Sequence, residues 1–258
     1  MNKNNIKKIL NSKKSSQNKE SLTVTFLWAF ICAVAIRSFL FEPFHIPSSS
    51  MYPNLLIGDY IFVNKYSYGY SRYSFPLGLN LFDDRIFFTA PKRGDMVVFR
   101  LPSKPSVNYV KRLIGLPGDK IQMRDGVLYI NDQEVRKTFS GEAQELENDK
   151  IITYKKYQET LPEGKKITTY DRDLTLQDNT GVYVVPPKHY FMMGDNRDDS
   201  QDSRFLNLVG FIPEQNLVGR ASMIFFSNSQ SIFDFSAWLK SIRYQRIGNK
   251  LNSSDINE

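Results

Sequence analysis

Three adjacent serines, Ser48, Ser49 and Ser50, lie between two prolines in Ile46-Pro47-Ser48-Ser49-Ser50-Met51-Tyr52-Pro53. Proline fixes its own φ and disfavours helix just before it, so the hydroxyls sit on an extended or turning backbone that a substrate strand can lie against. A serine hydroxyl is weak until a neighbour takes its proton. The two histidines of the chain are His45, in an extended segment shortly before Ser50, and His189, which follows Pro186-Pro187-Lys188 in a turn-like setting. A Ser/His/Asp triad would have to use one of them. A lysine serves equally when burial disfavours its ammonium and lowers its pKa. Lys111 is the candidate lysine, in the strand-like Asn108-Tyr109-Val110-Lys111-Arg112-Leu113-Ile114-Gly115, which runs into the turn Gly115-Leu116-Pro117-Gly118-Asp119. A strand lysine is most often solvent-exposed, so residue types alone leave the base open.

The serines follow closely on an uncharged run. Leu22 to Ile36 carries no charge, and beyond Arg37 the apolar character resumes in Phe39, Leu40 and Phe41. Residues 22–41 therefore form a transmembrane anchor of about 20 residues, with Arg37 able to snorkel near its end. The net charge of +7 comes largely from Lys3, Lys7, Lys8, Lys13, Lys14 and Lys19 in the basic segment 1–21. Lysines before the span and few after it predict a cytoplasmic N-terminus, with Glu42 onward outside, and mark a membrane flank rather than a nucleic-acid footprint. The rival is a cleaved secretory signal with Ala33-Val34-Ala35 as its cleavage site; that tripeptide lies inside the run with no polar stretch before it, which favours an uncleaved anchor. The single cysteine, Cys32, falls within the run and excludes an intramolecular disulfide or a cysteine-based metal site.

After the anchor the chain reads as mainly β: short β-rich runs separated by Gly-Asp and Pro-Gly, with little helical periodicity. Strands are predicted at Tyr60 to Asn64, Asp95 to Arg100, Asn108 to Ile114, Lys120 to Arg124, Val127 to Asn131, Val182 to Val185, Tyr190 to Met193 and Leu217 to Phe226. Asp125-Gly126 is a hairpin signal, because a type I′ turn requires positive φ at both central positions. The expected organisation is an antiparallel catalytic β domain from 42–131 and 181–251, interrupted by a polar hairpin elaboration at 132–180 and followed by a polar tail at 252–258. Ile232 to Ile247, with Phe233, Phe235, Trp238, Leu239 and Ile242, is expected to pack on the core.

Four motifs occur in order: Pro47-Ser48-Ser49-Ser50-Met51; Arg93-Gly94-Asp95-Met96-Val97-Val98-Phe99; Tyr109-Val110-Lys111-Arg112 with Gly115-Leu116-Pro117-Gly118-Asp119; and Gly194-Asp195-Asn196-Arg197-Asp198-Asp199-Ser200-Gln201-Asp202-Ser203-Arg204. In that order and setting the chain resembles the bacterial type I signal peptidases from the anchor to near Phe226. The resemblance implies the β fold that this family shares with the repressor autoproteases. It implies Ser50 as nucleophile and Lys111 as general base, the Ser50 N–H and Ser48 hydroxyl as oxyanion donors, and Ser200 as the serine that hydrogen-bonds the lysine. Asp195, Asp202 and Arg204 would brace the site through ion pairs. Phe44, Ile46, Met51, Leu55, Val98 and Val110 would line shallow pockets for a small-x-small, typically Ala-x-Ala, cleavage site; read alone they are ordinary core.

No cofactor is implied. A calcium reading of Asp198, Ser200 and Asp202 is set aside, because an EF-hand loop needs Gly at Ser203 and Glu at Val209. The expected partners are signal peptides of exported preproteins, the lipid bilayer and the protein-export channel, without nucleic acid. Three departures stand out: Ser49 where glycine is common, Asp199 where asparagine is common, and a lengthening at Phe205 to Val209. The charge of Asp199 is expected to raise the Lys111 pKa if the two approach. Two competing readings are the same dyad on a narrower substrate, such as a pilin, and a catalytically idle tethered scaffold.

Overall fold

The structure, a computed structural model, describes residues 22–74, 84–147, 150–173, 175–229 and 235–251. The basic segment 1–21 and the tail 252–258 lie outside them. Helix α1 (Leu22–Phe39) is long and apolar enough, by length and composition, to cross a membrane. Most of its apolar side chains project outward: Phe26, Trp28 and Phe30 are 71%, 62% and 67% exposed. The helix ends two residues short of the expected span, because Phe41 already belongs to a strand.

The remaining elements are almost entirely strands: β1 (Phe41–His45), β2 (Asp59–Asn64), β3 (Met96–Leu101), β4 (Lys104–Gly115), β5 (Lys120–Arg124), β6 (Val127–Ile130), β7 (Gln133–Glu134), β8 (Arg136–Glu147), β9 (Lys150–Thr160), β10 (Lys166–Asp171), β11 (Tyr183–Val184), β12 (His189–Met193), β13 (Ile212–Pro213) and β14 (Leu217–Ser227). A seven-stranded sheet runs β1-β2-β14-β3-β4-β12-β13, and its pairings are antiparallel. A four-stranded sheet, β11-β5-β6-β7, contains the expected hairpin, with Asp125 and Gly126 at φ 48° and 72°.

The polar stretch after residue 132 is larger than a hairpin. Strands β8, β9 and β10 make a three-stranded antiparallel sheet, and β10 also reaches the loop after β12 through Tyr170 N to Asp195 O (2.9 Å) and Arg197 N to Tyr170 O (2.8 Å). Near the C-terminus a short helix, α2 (Phe235–Lys240), places Trp238 against Phe226, ring centroids 5.7 Å apart. Leu239 remains 46% exposed, and Phe233 lies outside the described residues.

One core cluster positions the site. Met51, Leu55, Ile61, Val63 and Ala221 are fully buried in it with Ile46, Met96 and Val98, and Phe44 and Val110 pack against it. This cluster clamps the loop between β1 and β2, which carries the serines, onto β3 and β4, which carry the lysine.

Candidate active site

Lys111 sits in the buried C-terminal half of β4, opposite Val97 of β3, and is 3% exposed. Burying an ammonium among apolar strands disfavours its charge, and Lys111 is pushed down to about 8 by burial, against partial support from Asp202 and Asp195. Its Nζ donates to Ser50 Oγ. Ser48 Oγ lies 3.3 Å from the same Ser50 oxygen. The Ser50 loop is fixed from behind: Asn196 donates from its backbone N to Ser50 O (3.2 Å) and from Nδ2 to Ser49 O (3.2 Å).

Neither histidine holds Ser50. His45 leans on the Tyr60 ring, centroids 4.8 Å apart, and His189 Nδ1 is 2.8 Å from Pro187 O.

The acidic loop after β12 contributes to two separate buried ion pairs near Lys111. Asp202, fully buried, accepts from Arg204 Nε and Nη2 (both 2.9 Å) and from Gly194 N (3.0 Å). Burial alone would raise the Asp202 carboxyl, but the Arg204 guanidinium holds it below the ordinary range. Asp195 pairs instead with Arg112, whose Nε and Nη2 each donate at 2.6 Å, and it also accepts from Asn54 Nδ2 at 2.7 Å. Arg112, Asn54 and Asn196 were not singled out from the sequence, although Arg112 and Asn196 stand inside quoted motifs. Only the fold shows that the partner of Asp195 is the residue next to Lys111.

Gly194 is required by close approach, since a Cβ there would collide with the Ser200 side chain and with Ser50 O. Ser200 is buried beside it, but its Oγ makes no hydrogen bond among the described residues, so the expected bond to Lys111 is not formed. Lys111 Nζ turns to Ser50 instead. Asp199 also departs from expectation. Its carboxylate accepts from Tyr154 OH (2.7 Å) and faces Arg172 Nη2 (3.4 Å), and it is not among the charges that shift Lys111.

A cleft of about 640 Å³ opens over the dyad. Phe44, Ile46, Val98 and Val110 line it with Ser48, Ser50, Lys111 and Tyr109. Met51 and Leu55 do not: both are fully buried in the core behind it, because the turn after Ser50 directs them inward. The lining is mostly apolar beside a hydroxyl and a buried amine, with Asn108, Asp199 and Gln201 also among the lining residues, a mixture common to ligand clefts.

Comparison with known proteins gives one answer. The family model described as "Signal peptidase, peptidase S26" matches residues 19–226. The signal peptidase I of Rickettsia typhi (strain ATCC VR-144 / Wilmington) is 41% identical over 266 residues, covering 94% of this chain and 97% of that protein. The signal peptidase I of Rickettsia rickettsii (strain Sheila Smith) is 42% identical over 264 residues, covering 94% and 97%. Among solved structures, a signal peptidase I from Enterococcus faecalis V583 is 28% identical, with 51% of this chain and 97% of that chain covered and a TM-score of 0.30. With a family match over most of its length and relatives this similar end to end, the chain belongs to the signal peptidase family, peptidase S26, as a serine endopeptidase of the signal peptidase I type.

Proposed function

We propose that the chain removes N-terminal signal peptides from exported preproteins by a Ser50/Lys111 dyad, cutting after small-x-small sites. The observation that carries this reading is the buried Lys111 amine on the Ser50 hydroxyl. Ser50 Oγ attacks the scissile carbonyl while Lys111 Nζ takes its proton, leaving a tetrahedral oxyanion near the Ser48 hydroxyl and the Ser50 N–H. The C–N bond breaks as the lysine ammonium returns its proton to the leaving amine, and the mature protein departs. The acyl-Ser50 ester is hydrolysed by water deprotonated by the same lysine, which frees the signal peptide with a new carboxylate.

Small-x-small selection is supported by the apolar side chains of Phe44, Ile46, Val98 and Val110 in the cleft lining. Such a pocket rejects larger side chains by clash. Helix α1 anchors the enzyme in the cytoplasmic membrane, with the N-terminus inside and the cleft on the outer face, where the substrates arrive from the export channel.

The test is cleavage of a purified preprotein bearing an Ala-x-Ala site, in detergent or lipid, with the product N-terminus sequenced. Wild type is expected to cut after the second Ala, and Ser50→Ala and Lys111→Ala to lose activity. Activity surviving Lys111→Ala would return the base to a histidine. A wild type that leaves the preprotein intact would favour a narrower substrate or the idle scaffold.

A further inference from the structure

Anchor and catalytic sheet are joined through one residue. Helix α1 ends at Phe39 and β1 begins at Phe41, so Leu40 is the whole link. The link is fastened on several sides. Leu40 O accepts from Lys65 N (3.0 Å), Phe39 O accepts from Tyr70 OH (2.9 Å), and the Phe39 and Tyr70 rings meet edge to face at 5.6 Å.

Across the link runs an ion-pair chain. Arg37 Nη2 of α1 lies 3.1 Å from Glu42 Oε1 of β1, and Glu42 Oε2 lies 2.7 Å from Lys65 Nζ. The Lys65 side chain is 3% exposed and also donates to Ser74 O at 2.7 Å. A lysine this buried needs its carboxylate, since breaking such a pair strands a charge in low dielectric. Nothing in the dyad uses Arg37, Glu42 or Lys65, yet the sequence places the buried Glu42–Lys65 pair, with the 66% exposed Arg37 side chain reaching it from the helix, where a protease tethered to a bilayer could have had a loose linker.

The strand that leaves the joint leads directly to the loop bearing Ser50. We infer that the Arg37–Glu42–Lys65 joint is a positioning device that fixes the height of Ser50 over the membrane, and so selects the scissile bond by its distance from the substrate's own membrane-inserted apolar segment. This rests on the reading of the chain as a membrane-anchored signal peptidase. Chemistry in the cleft then decides which small-x-small sites are acceptable, and the joint decides which acceptable site is reached. A flexible insert of four residues extends the reach by about 10 Å, or about three residues of extended substrate.

The experiment uses the full chain in phospholipid vesicles. One substrate is a membrane-inserted preprotein carrying several Ala-x-Ala sites at successive distances from its apolar segment; the other is a short soluble peptide with one site. Cut positions are read by mass spectrometry for wild type, for Glu42→Gln, and for a chain with Gly-Ser-Gly-Ser inserted between Phe39 and Leu40. Wild type is expected to concentrate its cuts at one distance. Both variants are expected to turn over the soluble peptide within about twofold of wild type, while the share of cuts at the other distances rises about fivefold or more.

An unchanged distribution of cuts in the insertion variant would overturn the proposal. If Glu42→Gln fails to fold, seen as lost peptide turnover, the insertion variant decides alone. Peptide turnover lost in both variants would also overturn it, because the joint would then hold the fold and not the height. A wild type that cuts neither substrate contradicts the proposed function itself, a failure distinct from that of the joint.

Discussion

Keeping an amine among apolar strands costs the fold stability and favours its neutral form, the form the proposed base requires. Lys111, pushed down to about 8 by burial, is partly neutral near neutral pH, whereas a solvated lysine is almost wholly charged. In the proposed mechanism the neutral form is the active one, so kcat/KM should rise with pH and level off above about 8. A profile flat from pH 6 to 10 would contradict this. Stability carries the opposite side of the same shift. Below the folded pKa both folded and unfolded chains hold the proton, and the burial cost is fully present. That cost is lost as pH rises from about 8 toward the ordinary 10.5. Lys111→Met should therefore stabilise the protein at pH 7, by up to about 3 kcal/mol, with the gain shrinking toward pH 10 in thermal melts. Ser48→Ala should lower kcat on the order of 10²-fold with KM little changed, because in the proposed mechanism its hydroxyl donates to the developing oxyanion. Asp199 is held by Tyr154 and Arg172, so Asp199→Asn should leave the pH profile in place. An acid-ward displacement of a full unit would restore the charge effect expected from sequence.

The seven-stranded sheet was largely legible because its strands alternate or run apolar between clear turn signals. Asp125-Gly126 is the plainest case, its positive φ values being those that the dipeptide favours. Strand β1 was not among the predicted strands; it holds Pro43, which an edge strand paired on one side with β2 tolerates. The β8–β10 sheet was read as a polar hairpin because few of its residues are large and apolar. Its attachment depends on a pairing no local pattern reveals: Glu159 of β9 and Arg197 of the catalytic loop, 2.6 Å apart and 0% and 2% exposed. Glu159→Ala would leave the Arg197 charge buried and unpaired, and should destabilise the protein by about 3–5 kcal/mol. Equilibrium denaturation checks this, and a loss below about 1 kcal/mol would show the pair to be dispensable. Within the site, Ser50 and Lys111 were singled out by motif and the fold brings their side chains into contact, but the orientation of Ser200 and the inward turn of Met51 and Leu55 depend on how loops pack. Sequence spacing does not encode that.

Viewed whole, the molecule is a β-rich protease on an apolar stalk. Helix α1 exposes Phe26, Leu27, Trp28 and Phe30 by 58% or more each, an apolar surface that water cannot tolerate at this length. Size-exclusion chromatography should show a defined particle in detergent and aggregation when detergent is removed; a monodisperse chain in plain buffer would contradict the membrane reading. The central claim, a serine activated by a buried lysine, is tested most directly by acylation of the enzyme. The full chain is treated with a serine-acylating inhibitor across pH, and the adduct is mapped by mass spectrometry in wild type, Ser50→Ala and Lys111→Ala. The account predicts one adduct, on Ser50, forming faster as pH rises through about 8, and none in either variant. An adduct on another residue, or Ser50 labelled at the wild-type rate without Lys111, would contradict it.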